Sequence, residues 1–460
     1  MPPRLRTTSA PASPPRARRA ATKGPVRLGS SPSPSCAVER FRLDNGLRVV
    51  LSPDSSSPVV AVAVYYDVGM RSEPQGRTGF AHLFEHMMFQ GSANLGKTEH
   101  FTHVQGNGGT LNGSTHVDYT NYYEVMPSAA TELALFLEAD RMRSVAVTQE
   151  NLDNQIAVVQ NEIRVNVLNR PYGGFPWLMI PPLLFDDFAN SHNGYGDFVD
   201  LESSTLEDAQ AFFDRYYTPG NAVLTVAGDI DVEQVTAWVE QHFGDIPARP
   251  VPERPSFAEP APTSEQRATQ HDHLAPTPAV AMAWRVPDPA DLETYLPYVV
   301  LAEVLTDGDA SRLQHRMLLE DRSATHISGY LGLLGDPLDA RDPTPFLLEV
   351  HHPESTSLDT VVATVDDELA RLAAEGLELP ELDRTVARMT ARYLREVDSV
   401  LGRATTMSVF EQQRGRAELV NELPGLLRRV TPAEVQQAAA TLTPATRALL
   451  ELRPGTGEGR

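Results

Sequence analysis

The sequence predicts an α+β fold of two homologous domains, each a mostly antiparallel sheet flanked by helices. Strand-length apolar runs followed by longer helical patterns fill the first half. After a proline-rich stretch, the order of strand, loop and helix begins again at residues 277–286. Both halves end with a capping box (Thr205 with Asp208, Thr431 with Glu434), a helix, a Thr-Pro pair and a strand.

The first half begins with strand patterns. Residues 38–54 are predicted to form two short strands around a turn at Asn45-Gly46, and residues 57–69 form an apolar strand. Two more strands, with glycine at the breaks, are predicted within 108–127. The remaining elements are helices at 131–143, 149–168 and 205–217, a buried strand at 221–230 and an amphipathic helix at 231–243.

Composition sets the predicted domain limits. Residues 1–36 contain seven Lys or Arg, no acidic residue and many Pro and Ser, which is typical of a disordered basic tail. We expect the first domain at 37–248, a proline-rich linker at 249–275 and the second domain at 276–455.

The charge and the apolar runs limit the partners. A net charge of −22 argues against nucleic acid and favours basic peptides as substrates. No apolar run approaches the ~20 residues of a membrane-spanning helix, so we expect no membrane span. Cys36 is the single cysteine, which fits a reducing compartment.

The first 36 residues bear on location. They lack the apolar core of a secretory signal. Their arginines would suit an organellar transit peptide, but their prolines interrupt the amphipathic helix that such peptides form. We therefore expect a bacterial cytoplasmic protein, with the mitochondrial matrix as the alternative.

One apolar segment, residues 76–92, contains three ionisable side chains. His82 and His86 are four residues apart, so on a helix they share one face, where two imidazoles can bind one Zn²⁺. Glu85 lies on nearly the same face and can reach a water on the metal, in the order H-x-x-E-H. A solvated helix face is the alternative. The apolar neighbours instead indicate a buried helix, in which unpaired His and Glu are costly.

Catalytic zinc takes three protein ligands, so one more is needed. Glu162 is the best candidate, because Val158 and Val165 flank it on its predicted helix and a carboxylate on an apolar face is rarely unpaired. The alternative is a salt bridge to an arginine such as Arg164 or Arg170. Spacing alone leaves both open.

Four segments together resemble the pitrilysin/insulinase family of zinc peptidases. They are HLFEH at 82–86, the strand pair at 108–127, NEIRVNVLNRPYGG at 161–174 and YYTPGNAVLTVAGDID at 216–231. The resemblance covers residues 38–455 and is closest to short two-domain bacterial members and mitochondrial processing peptidases.

The resemblance implies one zinc ion per chain, held by His82, His86 and Glu162, with Glu85 as the general base. The implied activity is hydrolysis of peptides or unfolded segments inside an enclosed chamber. Two other functions stay open: a non-catalytic assembly or substrate-binding subunit of the same family, and a mitochondrial presequence processing peptidase.

Family members bind substrate as an added strand, and residues 110–115 match that position. The implied substrate contacts are Thr110, Leu111, Asn112 and Gly113. Hydrogen bonding at a turn or strand edge is the alternative role for Asn112. Many relatives carry an acid two turns before the third ligand. Here the region contains Gln155 instead, which we predict to hydrogen-bond a ligand.

The second half suggests a partner. Relatives that work alone carry an Arg and a nearby Tyr there that grip the substrate, whereas Arg312 and Arg322 have only the distant Tyr330. We therefore expect a heterodimer with a homologous non-catalytic subunit, or alternatively a homodimer.

Overall fold

The computed structural model describes residues 35–455 and contains two sheets. The first has strands β1 (Glu39–Arg42), β2 (Arg48–Pro53), β3 (Val59–Tyr66), β4 (Thr110–Thr115), β5 (Thr120–Pro127) and β6 (Ala222–Gly228). The second has β7 (Gln266–Asp272), β8 (Ala279–Arg285), β9 (His326–Leu331), β10 (Pro345–His351) and β11 (Arg447–Pro454). The tail predicted for residues 1–36 lies outside the described residues, apart from residues 35 and 36.

The two sheets share one topology. The first has the order β1-β2-β6-β3-β5-β4, with β2 parallel to β6 and the other neighbours antiparallel. The second has the order β7-β11-β8-β10-β9, again with one parallel pair, β7 and β11, and otherwise antiparallel neighbours. The predicted α+β class with two mostly antiparallel sheets is therefore confirmed.

Helices flank both sheets. Those of the first half are α1 (Phe80–Met87), α2 (Glu99–Gly106), α3 (Thr131–Arg143), α4 (Gln149–Ile163), α5 (Pro181–Leu184), α6 (Phe188–Ser191), α7 (Phe198–Glu202), α8 (Leu206–Tyr216) and α9 (Val232–Phe243). Those of the second half are α10 (Leu292–Thr306), α11 (Arg312–Gln314), α12 (Leu358–Glu375), α13 (Leu379–Asp398), α14 (Val400–Arg414), α15 (Leu419–Arg429) and α16 (Pro432–Thr441). Both predicted capping boxes form, at the starts of α8 and α16. None of the helices in residues 35–455 has the length and apolar character that crossing a membrane requires.

Strand β7 lies inside the segment predicted as a linker, 249–275. Its sequence, QRATQHD, is polar and mostly exposed, so local periodicity does not indicate a strand. Its parallel pairing with β11, far away in the sequence, produces it. The domain limits 37–248 and 276–455 remain predictions.

The first sheet is buried on both faces. Val60, Val62 and Val64 pack in the core that contains α1 and α3. Ala61 and Ala63 point to the other face and share a core with residues of the second half, including those of α14. The second half therefore covers one face of the first sheet.

The second sheet shows the reverse arrangement. Val280 and Met282 face the helices of their own half. The small residues of the opposite face pack against Phe175, Ile180, Leu184 and Phe185, which follow α4 in the first half. Each half thus completes the core of the other.

A buried carboxylate, Asp118, joins the two halves. It accepts hydrogen bonds from Arg71 (2.9 Å) of the first half, Arg254 (2.6 Å) of the proline-rich segment and the backbone N–H of Arg341 (3.0 Å) of the second half. Burial acts to raise the pKa of Asp118, but the guanidinium groups of Arg71 and Arg254 outweigh it and hold that pKa well below its usual range.

Replacing Asp118 with Asn should lower the free energy of unfolding by about 3–5 kcal/mol at pH 7, because one partner of a buried ion pair is lost. The folded-state pKa lies below the unfolded value of ~3.9, so the carboxylate stabilises the fold above about pH 4 and less as the pH falls. Denaturant unfolding followed by circular dichroism should show a smaller difference between wild type and variant at pH 3 than at pH 7.

The matched control is Glu422→Gln, which removes an exposed ion pair with Arg416. It should change the free energy of unfolding by less than about 1 kcal/mol. A similarly small change in Asp118→Asn would contradict a joining role for Asp118.

Candidate metal centre

Helix α1 carries the H-x-x-E-H segment and is fixed at its start. The helix follows Gly79, whose φ of 85° lies in the left-handed region. The buried carboxylate of Glu73 accepts hydrogen bonds from the backbone N–H groups of Gly79 and Ala81, each at 2.8 Å. Leu83 and Phe84 are fully buried. The buried helix predicted from the apolar neighbours is thus observed.

The structure brings the three predicted metal ligands together. Nε2 of His86 lies 3.3 Å from Nε2 of His82 and 3.3 Å from Oε2 of Glu162 on α4. Nε2 of His82 lies 3.7 Å from the same Glu162 oxygen. Two helices distant in sequence therefore contribute to one cluster.

This donor set fits a zinc ion. Ligand atoms about 2.0–2.1 Å from a tetrahedral zinc lie about 3.3 Å from one another. The distances between the three ligand atoms are close to that spacing. Imidazole nitrogen and carboxylate oxygen are also ligand atoms that zinc accepts.

The cluster also has suitable protonation states. Burial, with a smaller effect of His86, lowers the pKa of His82 to about 4. The hydrogen bond with His86 lowers the pKa of Glu162 to about 2, against the opposing effect of burial. At neutral pH, His82 is therefore neutral and Glu162 ionised, the forms that bind metal ions.

The sequence argument for Glu162 rested on a wrong premise. Val158 on α4 and Val165 in the turn that continues it are 41% and 56% exposed, so the surface around Glu162 is open rather than buried in a core. An apolar face is not always buried, because residues beside an open site also stay accessible.

Glu85 lies next to the edge of the first sheet. Its Oε2 accepts a hydrogen bond from the Thr115 hydroxyl at 2.8 Å. Burial raises the pKa of Glu85. Gly113 is its other neighbour on the strand, and a Cβ there would lie 3.2 Å from Cγ of Glu85. The lack of a side chain at Gly113 leaves room beside the carboxylate.

The residues predicted to contact substrate lie on β4, the edge strand of the first sheet. Successive residues of a strand point to opposite faces of the sheet, so Leu111 and Gly113 face α1 while Thr110 and Asn112 face the other side. The side chain of Asn112 therefore points away from Glu85. Backbone groups of β4, rather than this side chain, are the ones beside the cluster.

Gln155 is buried on α4, but within residues 35–455 it forms no hydrogen bond with His82, His86 or Glu162.

Tyr195, which the sequence interpretation missed, contacts two of the three candidate ligands, Glu162 and His82. Its hydroxyl donates to Oε1 of Glu162 at 2.7 Å. Its ring stacks on His82, with a centroid distance of 4.7 Å and an angle of 10°.

A second buried cluster contains ligand-type side chains, but it also contains a cation. His100 lies 2.7 Å from Glu124, and Glu138 is close to both. Arg141 pairs with Glu138 and lies 3.7 Å from Glu124. Because an internal guanidinium already compensates the carboxylates, we interpret this cluster as an ion-pair network.

Comparisons with known proteins agree with this arrangement. Residues 48–171 match the family described as Insulinase (Peptidase family M16), and residues 203–389 match the Peptidase M16 inactive domain. Together the two matches cover more than half of the chain.

Similar whole proteins are zinc proteases by name. Zinc protease PqqE of Helicobacter pylori is 26% identical over 378 residues, covering 78% of this chain and 80% of the relative. The uncharacterized zinc protease YmxG of Bacillus subtilis is 24% identical over 424 residues, covering 91% and 98%. The crystal structure of a protease from Helicobacter pylori has a TM-score of 0.84 at 23% identity, covering 91% of this chain and 100% of that one.

One partial relative is a subunit. The mitochondrial-processing peptidase subunit beta of Blastocladiella emersonii is 24% identical over 242 residues, covering 53% of this chain and 51% of the relative. The family matches and the whole-length relatives confirm the resemblance inferred from the sequence: the chain belongs to peptidase family M16, the insulinase family.

Proposed function

We propose that the protein is a zinc-dependent endopeptidase that hydrolyses peptides or unfolded segments inside an enclosed chamber. The observation that carries this proposal is the meeting of Glu162 on α4 with His82 and His86 on α1, the helix that also presents Glu85 beside an edge strand. The zinc protease names of the relatives support it.

His82, His86 and Glu162 would hold one zinc ion per chain. When bound, zinc supplies Lewis-acid polarisation of the scissile carbonyl and lowers the pKa of a water molecule toward ~7. The neutral His82 and the ionised Glu162 are already in their ligand forms, so binding requires no proton to be removed from either.

Glu85 would act as the general base and then as the general acid. Thr115 holds Oε2, and Oε1 forms no hydrogen bond with any residue of the described chain. This second oxygen is available to take the proton of the attacking water and deliver it to the leaving amine. The pKa of Glu85, raised by burial, suits a group that must both accept and release a proton.

The substrate would bind as an additional strand along β4. An extended peptide can pair with the outer backbone groups of this strand, and such pairing accepts many sequences. Gly113 leaves space for the peptide beside Glu85. The net charge of −22 favours basic peptides.

A second subunit would complete the site. In the second half, Arg312 is bound to Glu381 at 2.9 Å and to Glu368 at 3.4 Å, so ion pairs within its own half already engage it. This supports the need for substrate-gripping groups from a homologous subunit, or from a second copy of this chain. The subunit name of the mitochondrial relative also supports pairing.

A non-catalytic assembly or substrate-binding subunit is the second candidate. The match of residues 203–389 to a domain described as inactive favours it. The zinc content of the purified protein separates the two, since a three-ligand site normally retains its metal. Less than about half an equivalent of zinc per chain would favour the non-catalytic subunit.

The bacterial relatives support a bacterial protein, and we propose that it is located in the cytoplasm.

Replacing Glu85 with Gln should lower kcat for a fluorogenic unfolded peptide by about 10²–10⁴-fold, because the amide cannot accept the proton of water. The zinc content, measured by mass spectrometry of the metal, should stay at the wild-type value because Glu85 is not a ligand.

Glu150→Gln is the matched control, because Glu150 is an exposed acid in the first turn of α4. Its kcat and zinc content should equal those of the wild type. If Glu85→Gln kept more than a tenth of the wild-type kcat, the general-base role would be wrong.

The purified chain alone should hydrolyse unfolded peptides slowly, since Arg312 is engaged within its own half. Adding a homologous subunit from the same organism should raise kcat/KM. The oligomeric state should be followed by light scattering over a concentration series. A full rate from the monomer would exclude an obligatory partner.

A further inference from the structure

We infer that Tyr195 positions the metal ligands. This inference rests on the proposed zinc site. Its hydroxyl holds Oε1 of Glu162, while Oε2 of the same carboxylate faces His86 at 3.3 Å and His82 at 3.7 Å. One tyrosine thus contacts two of the three ligands and leaves a single Glu162 oxygen directed at the histidines.

The hydroxyl of Tyr195 has a defined direction. Nδ2 of Asn166 donates to it at 3.3 Å, which leaves its own hydrogen for Glu162. Asn166 lies one turn after Glu162, in the turn that continues α4. Trp177 packs edge-on against the Tyr195 ring at 5.3 Å. The ring is therefore held between Trp177 and His82.

The loop that carries Tyr195 is docked onto the start of α1 through glycine. Gly196 has a φ of 112°, and a Cβ on Gly79 would lie 2.5 Å from its Cα. A Cβ on Gly194 would lie 2.4 Å from Cγ of Met70. The backbones of Gly79 and Gly196 therefore pack directly together, and Gly194 packs against the Met70 side chain. The Gly-Tyr-Gly sequence consequently fixes Tyr195 over the helix that carries His82.

A side chain that hydrogen-bonds a metal ligand, as Tyr195 does with Glu162, affects metal binding. Partners that hydrogen-bond a metal ligand orient it, and their loss costs about 10–100-fold in metal affinity or activity. Gln155, predicted for that task, forms no hydrogen bond with the three ligands in the described part of the chain. Tyr195 supplies the contact from a different part of the chain. By holding Oε1, it leaves Oε2 as the oxygen of Glu162 that would bind a metal ion together with His82 and His86.

The test is Tyr195→Phe, which removes the hydroxyl and keeps the ring. Its zinc affinity, measured by competition with a chromophoric chelator, should be 10–100-fold weaker than that of the wild type. The absorption spectrum of the Co²⁺-substituted protein should also change, since Oε1 of Glu162 loses its 2.7 Å hydrogen bond and keeps only the longer one from Asn166 at 3.5 Å. Tyr195→Leu, which removes the ring as well, should weaken zinc binding further.

Tyr393→Phe is the matched control. It also loses a tyrosine hydrogen bond, to the backbone of Val420 in the second half, but is remote from the cluster. Its zinc affinity and cobalt spectrum should equal those of the wild type. Circular dichroism of the metal-free proteins should show that all variants are folded.

Two outcomes would overturn the inference, and they differ from each other. If the wild type binds zinc and Tyr195→Phe binds it equally well with the same cobalt spectrum, Tyr195 has no positioning role while the zinc site stands. If the wild type binds no zinc, the proposed function fails, and this inference fails with it.

Discussion

Each sheet of this protein depends on the other half of the chain to cover one of its faces. Strands alternate their side chains between two faces, and the central strands of both sheets are apolar on both faces, so neither face of these strands can remain in water. Helix α14 of the second half covers the first sheet, and the segment around Phe175–Phe185 covers the second. Asp118 joins the halves, since it binds Arg71 of the first half, Arg254 of the proline-rich segment and the backbone N–H of Arg341 of the second half.

The candidate metal centre is built on the face of the first sheet that its own half covers. Helix α1 packs on that face, and α4 brings Glu162 to it from a distant part of the chain. The apolar side chains around His82 lower its pKa and keep the imidazole neutral. The same burial that stabilises the helix therefore prepares its histidine for a metal ion.

The fold class and the common helix face of His82 and His86 could be predicted from the sequence, because the patterns that indicate them are local. Strand periodicity, capping residues and the four-residue spacing of His82 and His86 all act within one element. Strand β7 could not be predicted, since its polar residues become a strand only by pairing with β11. Tyr195 was missed for a similar reason: its contacts with His82 and Glu162 arise from tertiary packing of a short loop.

The prediction for Glu162 rested on two arguments of unequal value, and the structure contradicts one of them. The flanking valines suggested a carboxylate inside an apolar core, but they are exposed. The resemblance to a family, rather than the apolar neighbours, distinguished a ligand from a salt-bridge partner. For Asn112, the predicted position of the strand beside Glu85 agrees with the structure. The side chain of Asn112, however, points to the other face of the sheet.

The path of the chain after α4 limits the ability of either half to fold without the other. The chain after the helix that carries Glu162 contains Phe175, Ile180, Leu184 and Phe185, all buried against the second sheet. A fragment ending before that sheet would expose these side chains and leave the far face of its own sheet uncovered. Although the second sheet repeats the strand order of the first without β1, each half needs the other to bury its apolar residues. Loss of the second half would therefore destabilise the sheet that supports the candidate metal centre, although none of the three candidate ligands comes from that half.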